Sequence, residues 1–109
     1  MSKTRLEELQ DLLKADPNDS FVRYAIALEY QNSGDREGAI RYLEDLKQSN
    51  PEYLALYHPL GLLYEQRGEF EKAIAVYEEG CAAAVKKGDR HHKDFLQRSL
   101  DFLYSKRDH

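Results

Sequence analysis

Apolar residues recur along this chain at intervals of three and four, the spacing of one helix face. Leu6, Leu9, Leu12 and Leu13 open the pattern behind Thr4 and Glu7, a capping-box pair, so a first helix is predicted over 4–16, ending before Asp16-Pro17. Val22, Ile26, Ala27 and Tyr30 predict a second helix over 21–32, and Ala39, Ile40, Leu43 and Leu46 a third over 36–48. A fourth is predicted over 54–67 and a fifth over 70–87. Phe95, Leu96, Leu100, Phe102 and Leu103 predict a last one over 90–105. Almost no stretch alternates with the two-residue period of a strand. The expected class is all-α, about six antiparallel helices.

The middle of the chain repeats itself. Displaced by 34 residues, Pro17 meets Pro51, Leu28 meets Leu62, Tyr30 meets Tyr64, Gly34 meets Gly68, Ala39 meets Ala73 and Ile40 meets Ile74. The matches fall on apolar, small and turn-forming positions, the types that geometry constrains. Gly34 and Gly68 are expected to take left-handed backbone conformations between paired helices, with Asp35 capping the helix that follows. A helix pair cannot bury its apolar face alone, so the first and last helices are expected to cover the ends of the array. Gly80, Ala82, Ala83 and Ala84 make a small-residue surface on which the last helix would pack through Phe95, Phe102 or Leu103.

Pro59 conflicts with this pattern, since proline inside a helix removes a hydrogen bond and clashes with the carbonyl four residues back, here that of Ala55. Two local structures answer it. Either the helix starts late, with Pro59 in its first turn, or it runs from about Glu52 and kinks at Pro59. Leu56 and Tyr57 keep the packing pattern ahead of the proline, which favours the kinked helix.

Tyr57, Leu60, Gly61 and Tyr64, followed by Ala73 and Tyr77, resemble the tetratricopeptide repeat, as do Ile26, Ala27, Tyr30, Ala39, Leu43 and Pro51 in the first unit. Departures are Arg23 in an aromatic slot, Gly80 in a usual alanine slot, and Val85 where proline would end the second unit, so that helix should run past its usual end. The resemblance implies a right-handed α-solenoid of antiparallel helix pairs. It implies a single domain over 1–109, with a half-repeat helix at 4–16, repeats at 20–53 and 54–87, and a capping helix at 89–106.

The resemblance also implies that the first helix of each unit lines a concave groove. The groove set is Phe21, Tyr24, Ala25, Leu28, Gln31 and Asn32 in the first unit. In the second it is Ala55, His58, Pro59, Leu62, Glu65 and Gln66. Some family members hold a peptide's terminal carboxylate there with lysine, arginine and asparagine; Tyr24, Leu28 and Pro59 stand in those places, so that clamp is not carried over. What remains is an apolar, aromatic stripe with a polar edge, a composition that marks interaction sites. The expected function is a non-catalytic adaptor or scaffold that binds an apolar helix or extended peptide of a protein partner. The alternative is a self-associating structural protein with the same groove as its homo-oligomer interface.

Composition narrows the field further. With 41% hydrophobic and 33% charged residues, the 109-residue chain is too apolar for acidic disorder and too charged for a membrane protein. No run is long enough to span a bilayer, and the N-terminus shows charge interleaved with leucine rather than a secretory signal. A net charge of −4 without a basic block disfavours nucleic acid. Cys81, the single cysteine, cannot form an internal disulfide, which favours the cytoplasm. Its alanine-rich setting predicts a buried, inert thiol. Adjacent His91 and His92 point about 100° apart on a helix and make no metal pair. No nucleophile–base set, phosphate loop or metal-ligand spacing appears, so no enzyme, cofactor or metal is expected.

Overall fold

Each helix in the computed structural model, which describes residues 2–107, starts and stops where local chemistry dictates. The helices are α1 (Arg5–Ala15), α2 (Ser20–Asn32), α3 (Arg36–Ser49), α4 (Tyr57–Gln66), α5 (Phe70–Lys87) and α6 (Arg90–Arg107), and among the described residues there is no strand. Thr4 Oγ1 accepts the Glu7 amide at 3.1 Å while Glu7 Oε1 accepts the Thr4 amide at 3.2 Å, the predicted capping box. Asp19, Asp35 and Asp89 cap α2, α3 and α6 through the amides of Val22, Gly38 and His92, at 3.1, 2.9 and 3.0 Å. Glu69 stands at the same place before α5 but makes no cap. Its carboxylate pairs with Arg67 at 2.9 Å and Lys72 at 3.2 Å instead.

Three glycines end helices in one way. Gly34, Gly68 and Gly88 have φ of 87°, 75° and 73°, a left-handed region that side chains with a Cβ avoid. After each, the next amide reaches back six residues inclusively: Asp35 to the Tyr30 carbonyl, Glu69 to Tyr64 and Asp89 to Ala84, at 2.8 to 2.9 Å. This is the Schellman closure, which satisfies carbonyls the helix end would otherwise leave unpaired.

Two compact units result, Met1–Asn50 and Pro51–His109. In the first, α1 and α3 both pack on α2. Leu9, Val22, Ala25 and Ile26 form its buried centre, with Leu6, Leu13 and Tyr30 against them and Tyr42 stacked on Tyr30 at 5.4 Å. Ala25, expected in the groove, is therefore a core residue. Leu12 stays exposed, because Leu9 and Leu13 carry the inner face of α1.

In the second unit α5 is the axis, with α4 on one side and α6 on the other. Small residues make both approaches close. A Cβ on Gly61 would stand 2.2 Å from Tyr77 Cε1, and one on Gly80 would stand 2.8 Å from both Tyr57 Cβ and Leu96 Cδ1. The departure at Gly80 thus has a packing cause: an alanine would push Tyr57 and Leu96 away from α5. Of the small-residue surface, Gly80 and Ala84 face inward, Ala83 is half-buried and Ala82 is exposed.

One expectation is met in part and another is corrected. Helix α6 docks through Leu103, one of the three residues expected there, together with Leu96 and Leu100 on the same face, while Phe95 and Phe102 lie outside that stripe and remain 41% and 59% exposed. The helix around Pro59 does not kink. Residues Leu54–Leu56 form a 3₁₀ turn and α4 begins at Tyr57, so Pro59 sits in the first helical turn, where its missing N–H has no intrahelical partner to lose. The tighter turn also lets Leu54 and Leu56 both be buried, and the Tyr57 hydroxyl donates to the Pro51 carbonyl at 2.5 Å.

Two outcomes follow for stability. Gly61→Ala should lower it by about 1–3 kcal/mol, the usual range for overpacking, measured by urea denaturation; an unchanged midpoint would mean that Tyr77 is not held in this notch. Deleting the chain after Gly88 should lower the melting temperature or cause aggregation by uncovering Tyr57, Gly80 and Ala84. A truncated chain as stable and monomeric as the full one would refute the covering role of α6.

Candidate functional site

The helical period brings Phe21, Tyr24, Leu28, Gln31 and Asn32 to one face of α2. Phe21 is 64% exposed, Tyr24, Leu28 and Gln31 are half-buried, and Asn32 is exposed. They lie beside the buried stripe of Val22, Ile26 and Ala27, so the core does not use them up. Phe21 stands in the first turn, one residue after Ser20, whose hydroxyl accepts from the Asn50 side chain at 2.9 Å and ties the start of α2 to the end of α3.

On α4 the corresponding residues have more varied settings. Ala55 belongs to the 3₁₀ turn and is half-buried, as are Pro59 and Leu62, and Gln66 is exposed. Glu65 is half-buried and accepts a hydrogen bond from the Tyr77 hydroxyl at 2.6 Å, so its carboxylate is committed to the core edge. Burial, with that contact to Glu65, raises the Tyr77 phenol far above its ordinary range.

His58 is the most constrained of the set. Its ring stacks toward Tyr77 at 6.3 Å and meets the ring of Phe95 edge-on at 4.6 Å. Burial lowers its pKa from 6.5, opposed by the charge of Glu65. A neutral imidazole therefore bridges α4, α5 and α6. The sequence pattern misses the partner in this contact: Phe95 joins His58 on the surface of the unit. The signal was in the α6 pattern, where the apolar residues 95, 96, 100, 102 and 103 are too many for one narrow stripe.

The other singled-out groups serve structure. Cys81 is buried, its thiol raised in pKa chiefly by burial, with Sγ 3.9 Å from the Lys93 carbonyl. His92 Nδ1 lies 2.9 Å from the Asp89 carboxylate that caps α6, and His109 lies outside the described residues. Among the described residues no group of three or more histidine, cysteine, aspartate or glutamate side chains is placed to share a metal ion. Among the described residues, too, no helix is long and apolar enough to cross a membrane.

Comparison with known proteins places this architecture. Tetratricopeptide repeat sequence patterns match residues 22–53 and 55–90. No curated protein matches the chain. The crystal structure of a tetratricopeptide repeat domain protein from Salinibacter ruber is 30% identical, covering 80% of this chain and 97% of that one, with a TM-score of 0.75. A solution structure of a tetratricopeptide repeat domain protein from the same organism is 32% identical, covering 81% and 89%, with a TM-score of 0.77. A Bordetella parapertussis protein shares the fold at 23% identity, covering 96% and 91%, with a TM-score of 0.79. With two matched repeats, 30–32% identity over most of both chains and helix pairs closed by equivalent glycines, this chain belongs to the tetratricopeptide repeat family.

Proposed function

We propose that this protein is a non-catalytic interaction module that binds an apolar helix or extended peptide of a partner protein. Repeats of this family generally mediate protein–protein interaction. The binding faces are Phe21, Tyr24 and Leu28 on α2, and His58 and Leu62 on α4. Gln31, Asn32 and Gln66 supply a polar margin. One observation carries the reading: Phe21 exposes 64% of its surface on the same helix face as Tyr24 and Leu28, beside a core that is already filled. A large apolar side chain left out of a complete core stabilises a complex when a partner removes it from water, by roughly 25 cal/mol per Å² of apolar area. A single thiol fits the reducing cytoplasm as the place of action.

Replacing Tyr24 and Leu62 together by charged residues should leave helicity nearly intact and abolish capture of the partner. Leu60→Ala, a true core change, should instead cost about 2–5 kcal/mol. Circular dichroism melts with a pull-down from source lysate decide between them. A double variant that unfolds like Leu60→Ala makes those side chains core. One that folds and binds normally places the interaction elsewhere. Sedimentation across a concentration series shows whether the occupant is instead a second copy.

Acidification should weaken the fold through His58. Its folded-state pKa lies below the ordinary 6.5, so the full stability contribution of the neutral ring is present above that value. Stability is lost as pH falls below 6.5, because the unfolded chain takes up a proton that the folded one refuses, and the loss levels off below the folded-state pKa. Melting temperatures measured between neutral and mildly acid pH should fall less for His58→Gln than for the wild type. Parallel curves would show that His58 is not desolvated.

A further inference from the structure

The first turn of α5 and the last turn of α6 enclose a cleft of about 520 Å³. Its floor is Ile74 and Leu103, both buried, and Phe70 stands at its side, 46% exposed. Lys106 closes the rim, with Nζ 5.8 Å from the Phe70 ring centre and 5.2 Å from that of Phe102. The ammonium is thus held against two aromatic rings, and among the described residues no carboxylate pairs with it. Neighbouring Arg107 differs: it pairs with Glu71 at 3.4 Å and lies 5.0 Å over Tyr104. With Glu71 and Arg107 balancing each other, the charge left uncompensated at the cleft is positive.

An apolar floor with one oriented cation at its rim selects a particular ligand chemistry. A wholly apolar ligand would desolvate Lys106 without offering it a counter-charge, and a polar anion would leave the floor wet. We infer that the cleft takes an apolar side chain flanked by a carboxylate, in an acidic peptide segment of a partner protein. The volume lies within the range of small-ligand sites and accommodates such a pair of groups. Aromatic faces beside the ammonium fix its position before the ligand arrives, so little side-chain freedom is lost on binding. The cleft along α1 offers no such match: it is lined by Lys3, Glu7, Asp11 and Lys14 among others, and its Lys3 is already paired with Asp11. This inference stands apart from the α2 and α4 faces, since the two share no residue.

The probe is the blocked peptide acetyl-Glu-Leu-Phe-Glu-amide, titrated into the ¹⁵N-labelled full chain, with acetyl-Gln-Leu-Phe-Gln-amide as its uncharged counterpart. The acidic peptide should shift the amides of Gly68, Ile74 and Leu103 saturably, and the glutamine peptide should bind about fivefold more weakly, the factor of one exposed ion pair. Lys106→Met should abolish that difference, and Phe102→Ala, which removes one of the two rings that hold the ammonium, should reduce it. Both side chains are exposed, so thermal melts of the variants should match the wild type. Equal binding of the two peptides, an unaltered preference in Lys106→Met, shifts confined to α4, or no saturable shift at millimolar peptide would each overturn the inference. So would a dimer that depends on Lys106, because the occupant would then be a second copy. Loss of these shifts with partner capture through Tyr24 and Leu62 intact would leave the groove reading standing, and the converse result would leave this one.

Discussion

The ring of Tyr77 occupies the space that any side chain on residue 61 would need. That contact sets the separation of α4 and α5, and the rest of the second unit is arranged around it. With the ring in the notch, the hydroxyl reaches Glu65 and the face of the ring underlies His58, which in turn meets Phe95. Glu65, His58 and Phe95 are thus placed through one buried contact. A change in the core would move the surface, although no core residue touches solvent there.

The first repeat meets the same constraint with different volumes. The positions that correspond to Gly61 and Tyr77 are Ala27 and Leu43, both fully buried. A methyl is gained on one helix and an aromatic ring is lost on the other, so the summed volume between the helices changes less than either residue does. Close-packed interiors tolerate such compensated exchanges far better than single ones. The larger ring of the second repeat also carries a polar tip that must be satisfied, and Glu65 supplies the partner. This difference separates a purely apolar contact in the first repeat from one that reaches the surface in the second.

Helix α5 serves neighbours on two sides because its small residues are split between them. Gly80 receives Tyr57 from one direction and Leu96 from the other. Docking α6 by a leucine stripe leaves its phenylalanines outward, and each finds a different use. Phe95 packs against His58, and Phe102 joins Phe70 in flanking Lys106.

Local features of this structure were legible in the sequence. Helix identity follows from a spacing that no strand can use. The Thr4 capping box and the ends at Gly34 and Gly68 follow from backbone conformations and hydrogen bonds that span only a few residues. The 34-residue repeat carried the pairing of helices, because the same turns recur with the same packing positions. Three matters were settled only by tertiary contacts. The start of α4 depended on Leu54 and Leu56 both reaching the core, which a 3₁₀ turn permits and a kinked α-helix would not. The docking face of α6 depended on the room at Gly80, since the sequence offers two apolar stripes about 100° apart, Phe95 with Phe102 and Leu96 with Leu100 and Leu103, and the second had a matching space. The commitments of Glu65 and His58 depended on Tyr77 and Phe95, partners 12 and 37 residues distant. A helix pattern states which residues share a face; which face is covered, and by what, is decided by the volumes that other helices bring to it.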